Sequence, residues 1–106
     1  MIEFQYFPGC PHAAQTLHNL QQLMEEGLVR ADELRIVKAE DAETAQRVGF
    51  RGSPTILVDG IDIYTLRKPA EPCFTCRTYL IAGKPSGVLP KEFIRQQLSK
   101  LRRCSR

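Results

Sequence analysis

A short apolar run near the start of the chain stops at a turn signal and is followed directly by a cysteine and a proline. The run predicts a strand, and its apolar members are Ile2, Phe4, Tyr6 and Phe7. Pro8-Gly9 predicts a turn. Pro11 suits the first position of a helix, where the N–H group that proline lacks would have no helical partner. The sequence therefore predicts that Cys10 lies at a helix N-terminus, immediately after a strand.

A thiol in that position is expected to be reactive. The unpaired N–H groups and the partial positive charge of a helix N-terminus stabilise a thiolate, which is the nucleophilic form of cysteine. A protonated His12 would stabilise it further. We interpret Cys10 as a candidate nucleophile that His12 assists. The alternative is that Cys10 is a small buried apolar residue.

Composition narrows the class of protein. A length of 106 residues predicts one compact domain, and 42% hydrophobic with 25% charged residues is typical of a globular chain. The net charge of +3 favours no class of partner, and the basic residues lack the interleaved aromatic residues of a nucleic-acid site. We find no membrane span and no secretion signal, so we expect a cytoplasmic protein. The four cysteines then indicate catalysis, metal binding or no shared role rather than structural disulfides.

The first half of the chain predicts alternating strands and helices. Apolar periodicity predicts a first helix over 10–26, and residues 33–39 predict a second strand. Asp41 is the predicted cap of a short second helix, which ends at Gly49. Two strands joined through a helix predict a parallel pair.

A hairpin and a terminal helix complete the predicted domain. Residues 55–58 predict a strand, Asp59-Gly60 is a two-residue hairpin signal, and residues 61–64 predict the return strand. Residues 65–88 predict a loop insertion, and Pro90 opens the last helix. We therefore predict that the whole chain, 1–106, is a single α/β domain in which a mixed sheet is flanked by helices.

This element order, together with two separated motifs, resembles the thioredoxin-like fold superfamily. The motifs are Cys10-Pro11-His12 at the start of the first helix and Gly52-Ser53-Pro54-Thr55 before the hairpin. The resemblance covers residues 1–64 and extends to the last helix. It implies that Pro54 follows a cis peptide bond and lies against the reactive cysteine. It also implies that Ser53, Pro54 and Thr55 bind substrate through their backbone.

The chain departs from this family at one decisive position. The redox motif of the family is Cys-x-x-Cys, but Ala13 replaces the second cysteine here. A mixed disulfide at Cys10 must then be resolved by another thiol. Glutathione is one such thiol, as in monothiol glutaredoxin-like proteins, and a distant cysteine of the chain is another. A third alternative is that the fold is kept for binding and the redox activity is lost.

A second Cys-x-x-Cys, formed by Cys73 and Cys76, follows the predicted hairpin. Either cysteine could resolve a Cys10 mixed disulfide if this segment folds back over the Cys10 end of the sheet. The two could also form a disulfide with each other, or they could be incidental. Cys104 belongs to a basic tail and is expected to be exposed and dispensable.

A looser resemblance links the chain to small thioredoxin-fold proteins found among alkylmercury lyase-like sequences. It rests on residues 52–60 followed by Cys76-Arg77-Thr78-Tyr79, and it implies soft-metal or organomercurial chemistry, for which thiolates are suitable ligands. Carbon–mercury cleavage also needs a proton donor, and no acid in the sequence can be assigned to that role. The candidate metal ligands are Cys10, Cys73 and Cys76, to which His12 would add a fourth ligand for zinc.

We predict a thiol–disulfide oxidoreductase in which Cys10 is the nucleophile and Cys73 or Cys76 resolves the mixed disulfide. The expected partner is a thiol- or disulfide-bearing protein or a small thiol, with glutathione as a co-substrate and no bound cofactor. The alternative is a non-catalytic protein that binds a soft metal (mercury, copper(I) or zinc) or a thiol partner. We expect neither a nucleic acid nor a membrane as a partner.

Overall fold

A computed structural model of the chain describes residues 1–68 and 73–104, without the side chains of residues 48, 51, 73–76, 103 and 104. Eight strands and three α-helices fall within the described residues. The strands are β1 (Ile2–Tyr6), β2 (Leu34–Lys38), β3 (Arg51–Ser53), β4 (Thr55–Val58), β5 (Ile61–Asp62), β6 (Cys73–Cys76), β7 (Tyr79–Ile81) and β8 (Lys84–Ser86). The helices are α1 (Ala13–Glu25), α2 (Ala42–Val48) and α3 (Lys91–Cys104), and a 3₁₀ turn, Ala31–Glu33, precedes β2.

A mixed four-stranded sheet in the order β2-β1-β4-β5 forms the centre of the domain. β1 pairs in parallel with β2 and antiparallel with β4, so it is a central strand. β4 and β5 form the predicted hairpin, and both turn residues, Asp59 and Gly60, have a positive φ (51° and 82°), as a two-residue type I′ turn requires. The prediction of a single α/β domain with a mixed sheet is confirmed.

Helices cover both faces of this sheet. Alternate residues of a strand point to opposite faces. Phe4 packs with Leu20 of α1 and Ile94 of α3 in the main core. Phe7, which follows β1, packs on the other face with Ala45 of α2. The carboxyl end of β1 therefore lies between two helical layers.

The first helix begins three residues later than the sequence predicts. α1 starts at Ala13 with His12 as its N-cap residue, and Cys10 lies in the preceding turn. Pro11 accounts for the exclusion of Cys10 from the helix, because a residue that precedes a proline is disfavoured in the α conformation. Thr16 donates a helical hydrogen bond to the carbonyl of His12 at 3.2 Å. Cys10 is therefore close to the N-terminus of α1 but not part of the helix.

The return strand is shorter than predicted: it ends at Asp62 rather than at Tyr64. The Asp62 carboxylate accepts a hydrogen bond from the N–H of Tyr64 at 2.8 Å. The backbone carbonyl of Asp62 accepts one from the N–H of Leu66, also at 2.8 Å. These local bonds satisfy the backbone in a turn and so compete with continuation of the strand.

The predicted loop insertion, residues 65–88, contains three short strands in its described part. β6 pairs in parallel with β3, and β7 pairs with β8 in a hairpin. Both turn residues of that hairpin, Ala82 and Gly83, have a positive φ. Across 1–68 and 73–104, none of the helices has the length and apolar character needed to cross a membrane.

Candidate functional site

Cys10 lies in a tight loop at the carboxyl end of β1, between that strand and α1. Its N–H donates to the carbonyl of Phe7 at 3.3 Å, and its carbonyl accepts from the N–H of Ala13 at 3.5 Å. Gly9 has a φ of 87°, a conformation that a side chain would strain. The loop therefore turns sharply at the carboxyl end of a central strand, the region of an open α/β sheet where ligands commonly bind.

The Cys10 side chain is half-buried, carries a free thiol, and lines an open groove of about 310 Å³. The groove runs between α1 and the edge strand β2. Its lining is mainly aliphatic and aromatic and consists of Phe4, Tyr6, Phe7, Gly9, Cys10, Ala13, Ala14, Leu17 and Ile36. Ile36 is 50% exposed, so the groove is open to solvent on the β2 side. A molecule that reaches the sulfur through this groove meets an apolar surface.

His12 is half-buried against the loop that joins β8 to α3. Its imidazole occupies the space that a Cβ atom on Gly87 would fill, so only glycine fits there without displacement of the ring. Leu89, in the same loop, donates its N–H to the hydroxyl of Thr16 at 3.3 Å and accepts from the Asn19 amide at 3.0 Å. The ring is thus placed by the β8–α3 loop, and it is not among the described residues that line the groove.

The Ser53-Pro54-Thr55 segment connects β3 to β4 and lies beside the Cys10 loop. The Ser53–Pro54 peptide bond is cis, as predicted. The hydroxyl of Ser53 accepts a hydrogen bond from the N–H of Phe7 at 3.3 Å, which joins this segment to the Cys10 loop. All three residues of the segment are buried, so their side chains are not open to a substrate.

A polar cluster that the sequence analysis missed lies beneath this segment. One guanidinium nitrogen of Arg77 donates to a carboxylate oxygen of Asp62 at 2.6 Å and to the hydroxyl of Thr55 at 3.1 Å. The side chains of Arg77 and Asp62 are only 17% and 7% exposed. The hydroxyl of Thr55 in turn donates to the carbonyl of Gly52 at 2.8 Å. The ion pair is therefore shielded from water and satisfied by internal partners.

The same cluster bonds the backbone of the cis-proline segment. The backbone N–H of Arg77 donates to the carbonyl of Ser53 at 2.9 Å, and the hydroxyl of Tyr79 donates to the carbonyl of Pro54. The guanidinium carbon of Arg77 lies 4.6 Å from the centroid of the Tyr79 ring, a cation–π distance. A phenol is a donor at neutral pH, and burial raises the pKa of the Tyr79 hydroxyl further above that range. We call Thr55, Asp62, Arg77 and Tyr79 the Arg77 clamp.

One signal for this clamp is present in the sequence. Asp62 stands between Ile61 and Ile63 in an apolar strand, and a carboxylate buried in such a strand needs a partner. The identity of that partner depends on how the chain returns to the sheet after the hairpin. The sequence analysis names Arg77 in the Cys76-Arg77-Thr78-Tyr79 motif but does not pair it with Asp62.

The backbone of β6 carries the second Cys-x-x-Cys, formed by Cys73 and Cys76. Its parallel pairing with β3 aligns Cys76 with Ser53, whose hydroxyl bonds the Cys10 loop. The β6 backbone is therefore paired directly with the strand whose Ser53 bonds the Cys10 loop. The side chains of Cys73, Cys76 and Cys104 lie outside the described part of the structure, so their predicted roles stay predictions.

The predicted metal site also stays a prediction. Among the described side chains, no three His, Cys, Asp or Glu residues lie close enough together to hold a metal ion. The set of Cys10, Cys73 and Cys76 is not tested by this observation, because two of its thiols are not described.

Comparison of the chain with protein-family models, with curated proteins and with solved structures finds no match. The candidate site therefore rests on its geometry. A half-buried free thiol follows the central strand, an open apolar groove lies on one side of it, and the cis-proline segment is hydrogen-bonded to its loop.

Proposed function

We propose that the chain is a thiol–disulfide oxidoreductase with a thioredoxin-like fold, in which Cys10 is the nucleophile. The observation that carries the proposal is a half-buried free thiol that lines an open groove directly after the central strand. A reactive cysteine must be reached by its substrate and must also be held in one geometry. Exposure in the groove supports the first requirement, and the turn bonds of the loop support the second.

The order of the main elements supports the proposed fold. β1, α1, β2, α2, the β4–β5 hairpin and α3 follow one another along the chain, and their four strands form one mixed sheet. α1 and α3 share one core cluster, whereas α2 belongs to the other. β3 and the strands β6, β7 and β8 are additions to this order.

The proposed reaction begins with attack of the Cys10 thiolate on one sulfur of a substrate disulfide, R–S–S–R′. A bond forms between Cys10 and the R sulfur, and R′–S⁻ leaves with the electron pair. If glutathione resolves this mixed disulfide, its thiolate attacks the R sulfur, the Cys10 thiolate is released, and R leaves as a disulfide with glutathione. If Cys73 or Cys76 resolves it, that thiolate attacks the Cys10 sulfur and R–S⁻ leaves. The chain then holds a disulfide that an external dithiol must reduce.

Within this scheme, His12 stabilises the thiolate, and the cis-proline segment supports the Cys10 loop through the bond from the Phe7 N–H to the Ser53 hydroxyl. The carbonyl groups of Ser53 and Pro54 already accept hydrogen bonds from Arg77 and Tyr79. We therefore propose that the segment acts by supporting the Cys10 loop, and that the apolar groove receives the part of the substrate next to its sulfur.

Ala13 favours a second candidate function, a protein that binds a soft metal or a thiol partner without turnover. Ala13 is buried at the position where a Cys-x-x-Cys motif has its second thiol, so a disulfide within that motif is impossible. In this candidate function, Cys10 and the thiols of Cys73 and Cys76 bind mercury, copper(I) or zinc stoichiometrically.

A reductase assay separates the two candidates. Turnover of bis(2-hydroxyethyl) disulfide with glutathione is measured for the unmodified chain and for four single variants, Cys10→Ser, Cys73→Ser, Cys76→Ser and Cys104→Ser. We expect Cys10→Ser to abolish turnover and Cys104→Ser, the control, to leave it unchanged. A loss in only one of the other two variants would identify the resolving cysteine, and no loss in either would indicate glutathione.

A Cys10→Ser chain that keeps full reductase activity contradicts the oxidoreductase proposal. If the unmodified chain lacks turnover but takes up one equivalent of mercury, copper(I) or zinc in a manner that requires Cys10, the binding function replaces it. Titration of each metal with the same five proteins provides that comparison.

A further inference from the structure

We infer that the disulfide substrates of Cys10 are extended peptide segments that pair with the edge strand β2 and carry an apolar side chain two residues from their cysteine. This inference rests on the proposed function and adds to it a class of substrate. It depends on the groove beside Cys10 and on the outer edge of β2.

The first step of the argument is the construction of the groove. The sheet contributes Phe4, Tyr6 and Ile36 to its lining, α1 contributes the opposite wall, and the Cys10 loop contributes the end next to the thiol. None of the described residues that line the groove is charged. A charged group that entered it would lose hydration without gaining an ionic partner. The part of the substrate that enters the groove is therefore neutral and apolar.

The second step is that the groove opens onto the outer edge of the central sheet. β2 is the terminal strand of this four-stranded sheet, and among the described residues no strand pairs with its outer side. The N–H of Ala39 donates to the carbonyl of Tyr6 at 2.9 Å, and the register of β1 with β2 is unbroken. Because successive residues of a strand alternate in the direction of their backbone groups, Ile36 directs its N–H and carbonyl away from β1.

These two features together favour an extended peptide as the occupant. A chain that adds to the edge of a sheet gains backbone hydrogen bonds, and its side chains provide specificity by entering pockets on one face. A small disulfide has no backbone that could pair with β2. Ile36, at the open side of the groove, is 50% exposed, so the rest of a long chain can remain in solvent.

The third step determines the spacing between the apolar residue and the cysteine. Alternate side chains of a strand lie on one face, so Lys38 shares the face of Ile36, and it is aligned with Tyr6 at the end of β1 that leads into the Cys10 loop. A peptide residue beside Ile36 that faces the groove is followed on that face by the residue two positions along. The cysteine is expected there, after the apolar residue in a parallel peptide and before it in an antiparallel one.

The experiment uses the full chain with Cys73, Cys76 and Cys104 replaced by serine, so that Cys10 is the sole thiol. Its substrates are the symmetric disulfides of four capped tripeptides. The first pair of isomers is acetyl-Leu-Ala-Cys-amide and acetyl-Ala-Leu-Cys-amide, and the second is acetyl-Cys-Ala-Leu-amide and acetyl-Cys-Leu-Ala-amide. The Cys10 thiolate attacks one peptide sulfur, an S–S bond forms between them, and the second peptide leaves as a thiolate with the electron pair of the broken bond.

The rate of adduct formation on Cys10 is measured by mass spectrometry. In one pair or both, we expect a rate constant about tenfold higher for the isomer whose leucine lies two residues from the cysteine, a factor that partial burial of one leucine side chain provides. The isomers of a pair have the same composition, and their ratio with N-acetylcysteine amide as the attacking thiol gives the intrinsic difference. The pair that shows the preference identifies the direction of the peptide along β2.

Ile36→Thr should lower the preference to about threefold or less, because it makes the groove more polar beside the leucine. Leu80→Thr is the matched control, since Leu80 is 60% exposed and lies outside the groove lining, and it should keep the preference of the parent chain. The comparison of isomers needs only the parent chain, so it stands even if Ile36→Thr fails to fold.

Equal rates within both pairs, or a faster reaction of the isomers whose leucine is adjacent to the cysteine, would overturn the inference. An equal loss of preference in Ile36→Thr and Leu80→Thr would also overturn it. In each of these cases the reaction of Cys10 with bis(2-hydroxyethyl) disulfide, and with it the proposed function, is unaffected. A parent chain that reacts neither with the peptides nor with bis(2-hydroxyethyl) disulfide contradicts the proposed function itself.

Discussion

The two sides of the cis-proline segment are built in opposite ways. On one side, Cys10 is half-exposed beside an open apolar groove, in a loop held by backbone turn bonds. On the other side, Asp62, Arg77 and Tyr79 form a largely buried cluster of ionic and hydrogen-bonded contacts. One side leaves the Cys10 sulfur accessible, and the other holds the backbone with internal bonds.

The comparison indicates why a domain of this size retains a buried ion pair. Burying two charges has a desolvation cost that often cancels their attraction, so such a pair is weak support for stability alone. The guanidinium of Arg77 also donates to the hydroxyl of Thr55, and apolar residues could not make that bond. The following predictions test this contrast, beginning with the largest expected effect.

The largest effect is expected where the ion pair is broken. Asp62→Ala leaves the guanidinium of Arg77 without its counterion in a shielded position, and we expect a loss of about 3 kcal/mol in the free energy of unfolding. Asp32→Ala is the control, because it breaks the Arg30–Asp32 pair, whose side chains are 75% and 68% exposed. That loss should stay below about 1 kcal/mol. Urea unfolding measures both, and equal losses would contradict a buried clamp.

On the Cys10 side, the fit of His12 against the β8–α3 loop should be sensitive to a single methyl group. Gly87→Ala places a Cβ atom where the imidazole lies, and we expect it to cost about 1–3 kcal/mol in the free energy of unfolding. In a His12→Ala background, the same change should cost much less, because the ring is gone. A double-mutant cycle by urea unfolding measures the difference. An unchanged cost in that background would mean that the two residues do not compete for this space.

The groove should affect rate without affecting stability. Ile36→Thr keeps the branched shape but makes the β2 side of the groove more polar. We expect an about fivefold lower rate of Cys10 with the aromatic 2,2′-dithiodipyridine, corresponding to about 1 kcal/mol of apolar contact, and no change with bis(2-hydroxyethyl) disulfide. Leu80→Thr is the control, since Leu80 is 60% exposed and lies outside the groove lining. A similar decrease in the control would show a nonspecific surface effect.

The smallest effects are expected at two surface carboxylates that belong neither to the groove lining nor to the Arg77 clamp. Bonds from Thr44 lower the pKa of Asp41, and bonds from Lys91 and Arg95 lower the pKa of Glu26. A lowered pKa means that each carboxylate stabilises the fold above its ordinary value, 3.8 for Asp41 and 4.5 for Glu26, and that this stabilisation is lost as the pH falls through the folded value.

This direction is tested by measuring the free energy of unfolding from neutral pH down to a pH below the ordinary pKa values of the two carboxylates. Asp41→Asn keeps an N-cap acceptor but removes the titrating group, so its stability should fall less steeply with acid than that of the parent chain. Glu26→Gln should behave in the same way. Steeper acid dependence in either variant would contradict the direction of the shift.

The features that the sequence predicted correctly depend on neighbouring residues. Asp59-Gly60 determines a hairpin because two consecutive residues must adopt positive φ, and Asp41 caps α2 by a bond from Thr44 at 2.7 Å. The turn after β1 is likewise determined by Pro8-Gly9. The predicted start of α1 was wrong by three residues. The effect of Pro11 on the residue before it accounts for one of them, Cys10.

The features that the sequence did not predict depend on contacts between distant segments. Asp62 ends the hairpin strand β5 and Arg77 follows β6, and they meet only because β6 returns to pair with β3. The contact between His12 and Gly87 depends in the same way on the β8–α3 loop. No local pattern specifies such pairings, since each segment alone has several possible partners.

The most direct test of the central claim compares the reaction of Cys10 in the folded and the unfolded chain. With Cys10 as the sole thiol, the rate of mixed-disulfide formation with bis(2-hydroxyethyl) disulfide is followed by mass spectrometry in buffer and in denaturing urea. The account predicts one adduct on Cys10 and a rate at least about tenfold higher in the folded chain, because the fold holds the thiol and orients the disulfide. A folded chain that reacts no faster than the unfolded one would contradict it.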